Sequence, residues 1–185
     1  TAMSPIWLMQ TDANRVLNQS GKLDLAHGGN IITQPFIDNF VYMGGAGATL
    51  GLVLCVGYLV WKKRASKQNE ILAPLTIVPG IFNINEPTMF GLPVVLNLSL
   101  IIPFIIAPMF NAITTYTAMK LGWVPLCNGT VIPWTMPPLI SGFLATNSIA
   151  GSILQLFNII VDILIYLPFM SALNKLQIVE ESRKG

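Results

Sequence analysis

Between Ile71 and Asn174 the chain carries only three ionisable carboxylates and amines, Glu86, Lys120 and Asp162. A soluble domain devotes about a quarter of its residues to charge, whereas this chain of 185 residues is 10% charged and 53% apolar. So long a stretch without polar surface folds in lipid. The fold class expected is an all-α membrane protein with about three transmembrane helices and two re-entrant or broken hairpin segments.

The net charge of +2 comes largely from "WKKRASK" at 61–67. That cluster is a topology signal, because basic residues flanking a membrane segment mark its cytoplasmic end. It gives no nucleic-acid footprint. The two cysteines, Cys55 and Cys127, lie in apolar surroundings without metal-ligand spacing. They read as inert buried thiols, and no metal site is expected. The chain opens "TAMSPIWLMQ", with no initiator methionine and no targeting peptide, and reads as a piece of a longer protein.

Residues 1–38 mix polar and apolar types and form an expected amphipathic and loop region at the membrane surface, with a short helix end before the turn-rich "SGKLDLAHGGN". From Asn39 to Trp61 no residue is charged, which predicts a transmembrane helix, with "GGAGATLG" as a small-residue packing face. Across 71–92 the prolines and glycines of "ILAPLTIVPGIFNINEPTMFGL" interrupt an apolar run. Irregular backbone at membrane depth survives only when buried in protein or lining a cavity, so a re-entrant hairpin is expected with its tip near "FNINEP". A helix over 93–119, kinked at Pro103 and Pro108, a broken segment over 122–142 and a helix over 147–173 follow. Residues 175–185 read as a polar cytoplasmic tail. With "WKKR" also cytoplasmic, the last two helices supply the even number of crossings between them.

Glu86 carries the most weight, since an ionisable group inside an apolar segment marks a functional site by default. The bland alternative is a structural carboxylate capped by backbone amides or paired with a base. Asn83 and Asn85 flank it on alternate positions; their amides suit sugar hydroxyls, and equally suit the hairpin's own backbone. Trp134 in "VIPWTMPP" reads as core, as an interfacial anchor or as a stacking platform for a sugar ring. Gln155, Asn158 and Asp162 share one helix face, as an interhelical bonding stripe or a proton or cation relay. His27, in "AHGGN", reads as incidental. No phosphate loop, dinucleotide fingerprint, HExxH or nucleophile elbow is present.

Longer motifs add to this reading. "PGIFNINEPTMFGLPVVLN", "IPFIIAPMFNAITTYTAMKLG", "VIPWTMPPLISGFLAT" and "ILQLFN" resemble the C-terminal half of the membrane subunit, component IIC, of bacterial sugar phosphotransferase systems, in the lactose, cellobiose and diacetylchitobiose branch. The resemblance extends back through "PFIDNFVYMGGAGATLGL" and "MSPIWL". It implies the substrate-binding half of a permease that takes up a β-linked disaccharide while a phosphocysteine on a cytoplasmic IIB partner phosphorylates the sugar at its C6 hydroxyl. No cofactor is implied beyond that phosphoryl group. Glu86 matches the acid of the family's NEP motif and by resemblance bonds or deprotonates the attacking hydroxyl. Asn85, with Asn83 beside it, and Trp134 of the PW motif would line the sugar.

The resemblance also implies a multi-pass protein of the bacterial plasma membrane, homodimeric at full length, whose amino-terminal scaffold half lies outside this sequence; this chain alone is expected to be inactive. Two departures stand out. The family's "GIHG"-like histidine falls before "MSPIW", outside the chain, and Gln34 in "TQPF" stands where family members often carry an acid. The competing expectation is a secondary transporter coupled to H⁺ or Na⁺ through Glu86 and Asp162, since broken helices suit that mechanism as well.

Overall fold

The computed structural model describes residues 3–92, 94 and 97–184, which form helices and turns with no strand among them. The chain divides into two compact units, Thr1–Tyr42 with Met109–Asn158, and Met43–Pro108 with Ile159–Gly185. Among the described residues, two helices are long and apolar enough to cross a bilayer, over Ser99–Lys120 and Ile149–Arg183.

In the first unit, α1 (Ser4–Gln19) starts with Pro5 in its first turn, where a missing backbone N–H costs nothing. It is a full helix of 16 residues, longer than the helix end expected from the sequence. Its burial is inverted relative to a soluble helix: Thr11 and Asn14 are buried, while Ile6, Leu8, Met9 and Val16 are exposed. Polar atoms turned inward and apolar ones outward suit lipid. A single helical turn, α2 (Gln34–Phe36), runs on into the π-helical turn Ile37–Val41. Phe36, Phe40, Met119, Leu126 and Cys127 form the unit's core.

The broken segment expected over 122–142 has no helix until α7 (Ile140–Thr146). Side chains supply the partners its backbone lacks. Asn14 Nδ2 donates to Asn30 O and Cys127 O at 2.8 and 2.9 Å, and Arg15 Nε donates to Gly129 O at 2.9 Å. Asn128 Nδ2 donates to Leu144 O, and the Asn128 backbone N–H donates to Ala145 O. The buried stretch 127–129 has matched polar groups at each of its three residues.

In the second unit, the helix expected over 39–61 is present only as α3 (Leu50–Trp61). Its 12 residues cover about 18 Å, short of the ~30 Å hydrocarbon core. The reason is the glycine run, where Gly44, Gly45, Gly47 and Ala48 have φ of 80°, 94°, 82° and 53°. Left-handed backbone ends a helix, so "GGAGA" forms a turn in place of a packing face. The close approach expected of small residues occurs at the end of the run, where a Cβ on Gly51 would lie 2.6 Å from Asp162, and again further on. A Cβ on Gly57 would lie 3.1 Å from Ile77, and one on Gly80 would lie 3.4 Å from Val53. That register sets α3 antiparallel to α4 (Lys67–Ile81).

α4 accommodates Pro74 and Pro79 and ends in a hydrogen-bonded cap. Asn83 takes φ 61°, its N–H donates to Gly80 O, and the Ile84 N–H donates to Pro79 O. These are the two bonds of a Schellman ending, with Asn in the left-handed position usually held by Gly. The chain therefore breaks at 82–85 and restarts as α5 (Glu86–Gly91), with Pro87 in the first turn. The expected region 71–92 is two short helices around this break.

α6 (Leu98–Lys120) and α8 (Ile149–Lys184) are the long helices. The helix expected to end at residue 173 runs on through Lys184, so residues 175–184 of the expected polar tail are helical. Polar side chains hold it: Asn174 Oδ1 accepts from Ser66 N and Asn69 Nδ2 at 2.8 and 2.9 Å, and Gln177 Oε1 accepts from Asn69 Nδ2 at 2.8 Å. Glu181 carboxylate oxygens accept from the backbone N–H groups of Lys67 and Gln68, the free donors of the α4 N-terminus.

Candidate functional site

Glu86 opens α5 at its first helical position. Its side chain is exposed, and among the described residues it forms no ion pair. The sequence suggested a buried acid; the structure instead presents the carboxylate on the surface of the second unit. The Schellman ending of α4 and the restart of the helix make Glu86 the first residue of α5.

The two asparagines that precede Glu86 are fixed by the glycine turn 44–48. Asn83 is 8% exposed, and its Oδ1 accepts the Gly44 N–H at 2.7 Å. Asn85 is half-buried, and its Nδ2 donates to Ala46 O at 3.3 Å. Both amides thus bind the glycine turn 44–48. The turn requires its glycines: a Cβ on Gly45 would come within 2.7 Å of the Asn85 side-chain amide. The structure brings Asn83, Asn85 and Glu86 together on one bend, with Asn83 engaged by backbone and Glu86 open.

Trp134 belongs to the other unit. It lies in a turn closed by the Met136 N–H donating to Pro133 O at 2.9 Å, and it is 60% exposed. Three residues of the broken segment before it are pinned: Cys127 and Gly129 by α1, and Asn128 by the end of α7.

Two of the three residues of the helix-face stripe, Gln155 and Asn158, are taken up by hydrogen bonding. Gln155 and Asn158 are fully buried. Gln155 Oε1 accepts from Leu139 N and Gly142 N, its Nε2 donates to Asn39 O and Ser141 Oγ, and Asn158 bonds Thr114 and Thr115. Asp162 is equally buried, in the second unit, against Gly51. His27 is exposed in its loop and pairs with Asp24 at 2.7 Å.

Sequence reasoning passed over Asp38. Both of its carboxylate oxygens accept from Gln34 Nε2, at 2.9 and 2.8 Å. Burial pushes the Asp38 carboxyl up from its ordinary value, and the Gln34 amide opposes that shift. The spacing of four between Gln34 and Asp38 was the available signal. The two residues line a cavity of about 110 Å³ with Thr11, Asp12, Arg15 and Thr130. A larger cavity of about 560 Å³, lined by Ile113, Trp123, Leu154 and Phe157, is apolar. Its threonines 114 and 117 are already hydrogen-bonded within the unit, so it offers a sugar few partners.

The sequence model described as "Phosphotransferase system, EIIC" matches residues 1–108. The chain is 42% identical over 181 residues to the lichenan permease IIC component of Bacillus subtilis (strain 168), covering 97% of this chain and 38% of that protein. It is 46% identical over 181 residues to the cellobiose-specific EIIC component of Geobacillus stearothermophilus, covering 97% of this chain and 39% of that protein. Among solved structures, it resembles the transporter ChbC, the IIC component from the N,N'-diacetylchitobiose-specific phosphotransferase system, with a TM-score of 0.90 and 45% identity over 98% of this chain and 40% of that one. The chain thus spans about two-fifths of the length of these relatives.

Proposed function

Because the chain belongs to the phosphotransferase-system EIIC family, we propose that it is the sugar-holding part of a permease that imports a β-linked disaccharide of the cellobiose, diacetylchitobiose or lactose type. The named specificities of its relatives support that sugar class. In this reading Glu86 is the acid that orients the sugar's C6 hydroxyl and takes its proton. The hydroxyl oxygen attacks the phosphorus of a phosphocysteine on the IIB partner, the new oxygen–phosphorus bond forms, and the sulfur–phosphorus bond breaks to leave a thiolate. Phosphoryl transfer asks for in-line positioning and general-base help, and a carboxylate on a rigid bend supplies both. Asn85 and Trp134 are the proposed sugar contacts, and Asn83 shapes the bend beside them. No cofactor is needed, since the partner delivers the phosphoryl group.

The observation that carries this reading is the open carboxylate of Glu86 in an otherwise apolar run, on a bend whose two asparagines are tied to the glycine turn. The homodimeric full-length permease in the bacterial plasma membrane, with both "WKKR" and the end of α8 cytoplasmic, belongs to the same proposal.

The test uses the full-length permease in membrane vesicles supplied with phosphorylated IIB, reading sugar 6-phosphate formed from cellobiose, diacetylchitobiose and lactose. Glu86→Gln is expected to abolish product, while Asp162→Asn leaves phosphorylation in place. Uptake without phosphorylation that collapses with the proton gradient, and is lost in both variants, would sink this reading in favour of ion coupling through Glu86 and Asp162.

A further inference from the structure

We infer that Tyr166 is a positioning residue for Glu86, acting across the glycine turn 44–48 from the middle of α8. The inference rests on the role of Glu86 proposed above. Tyr166 is fully buried in the second unit, and its hydroxyl donates to Gly47 O at 2.6 Å, across 119 residues of sequence. A phenol placed in an apolar core needs a partner for its hydroxyl, and here the partner is the backbone of the turn.

The turn has no slack to absorb a change at that point. Gly44, Gly45 and Gly47 all have positive φ, and a Cβ on Gly47 would collide with the Phe104 ring, as one on Gly44 would with the Leu50 backbone. Thr49 Oγ1 closes the turn by donating to Gly44 O at 2.6 Å. On the opposite side, Gly44 N and Ala46 O are the groups that hold Asn83 and Asn85, and Glu86 follows Asn85 directly. The chain of contacts is short: Tyr166 hydroxyl, Gly47, the turn, the two amides, Glu86. Every member lies in the same compact unit.

A tyrosine that merely filled the core would be replaced by phenylalanine at no functional cost, since the ring is kept. Tyr166→Phe removes one hydroxyl and leaves Gly47 O without its donor. The bend then gains freedom where the carboxylate must meet the hydroxyl it activates. A displacement of about 1 Å at a reacting group costs on the order of 100-fold in rate.

The experiment measures sugar 6-phosphate formation by the full-length permease, with phosphorylated IIB, for wild type, Glu86→Gln, Tyr166→Phe and Thr49→Val. Thr49→Val loosens the same turn at another point and serves if Tyr166→Phe fails to accumulate in the membrane. The expected result is a fall in kcat of about 10- to 100-fold for Tyr166→Phe, with KM within about threefold of wild type and the acid limb of the kcat pH profile displaced. A merely structural tyrosine would lower the amount of active protein and leave the pH profile and KM alone. If Glu86→Gln abolishes product while Tyr166→Phe and Thr49→Val keep kcat within twofold of wild type, the inference is overturned and the role of Glu86 stands. If Glu86→Gln retains full activity, the reading of the site fails and the inference with it.

Discussion

Replacing Gln155 with leucine tests how the irregular segment over 122–142 is held. Gln155 is fully buried, with four bonds to Leu139 N, Gly142 N, Asn39 O and Ser141 Oγ of 2.6, 2.9, 2.7 and 2.9 Å. Leu139 precedes α7 with φ 72° and offers no capping side chain. The glutamine therefore does the cap's work from another helix, taking the free N–H of the first turn. Gln155→Leu leaves two backbone N–H groups and one carbonyl without partners, while Ser141 can turn its hydroxyl elsewhere. At about 1–3 kcal/mol for each of the three orphaned groups, less about 1–2 kcal/mol regained by the added apolar burial, the net loss falls between about 1 and 8 kcal/mol, and about 3 kcal/mol is a conservative figure within that range. Since about 1.4 kcal/mol is a factor of ten, the amides of Leu139 and Gly142 should exchange hydrogen on the order of 100-fold faster in the detergent-solubilised protein. Gln155→Glu keeps the acceptor and should keep those two amides protected. Protection within threefold of wild type in Gln155→Leu would refute the assignment of Gln155 as the cap.

Two further outcomes follow from the polar contacts of the surface and of the α8 end. Asn174→Ala strips the Ser66 N–H and Arg64 O of their partners, while Asn69 keeps Gln177; a loss of about 2–3 kcal/mol is expected, read as faster exchange confined to the first turn of α4, and unchanged exchange there would contradict it. Hydrogen bonds from the His27 ring and then from its backbone N–H hold the Asp24 carboxyl below its ordinary value of 3.8. The turn at 24–27 is therefore held most firmly above the ordinary carboxylate range and loosens as pH falls through the lowered value. A carboxyl titration by NMR should show Asp24 returning upward in His27→Ala, and a wild-type midpoint at or above the ordinary value would refute the pairing.

What the sequence made legible was local. The scarcity of charge fixed the solvent, and the prolines and glycines of 71–92 marked a break that falls at 82–85, inside "FNINEP". The acid was visible for the same reason, since a lone carboxylate in an apolar run needs no partner to be noticed. The run "GGAGA" was ambiguous because small residues serve equally as a helix-packing face and as a left-handed turn. Only contacts distant in sequence decide between them: Asn83 and Asn85 lie 39 residues from the groups they bind, and Tyr166 lies 119 residues from Gly47. The helix boundary at residue 173 was set too early by composition, although Asn174, Gln177 and Glu181 stand three and four apart and so face one side of a helix.

The same comparison explains why polar residues misled in one place and informed in another. In a protein that folds in lipid, a polar side chain is turned inward, toward backbone that has lost its own ladder of bonds. Asn14, Asn128 and Gln155 each serve a stretch of irregular chain in that way. Polarity within an apolar run therefore marks where the backbone departs from a helix before it marks chemistry. Glu86 departs from that rule. Its carboxylate accepts no backbone N–H and pairs with no base among the described residues, and it lies next to amides that are already engaged. A structural explanation accounts for the side-chain amides of Asn83 and Asn85 and leaves the acid over.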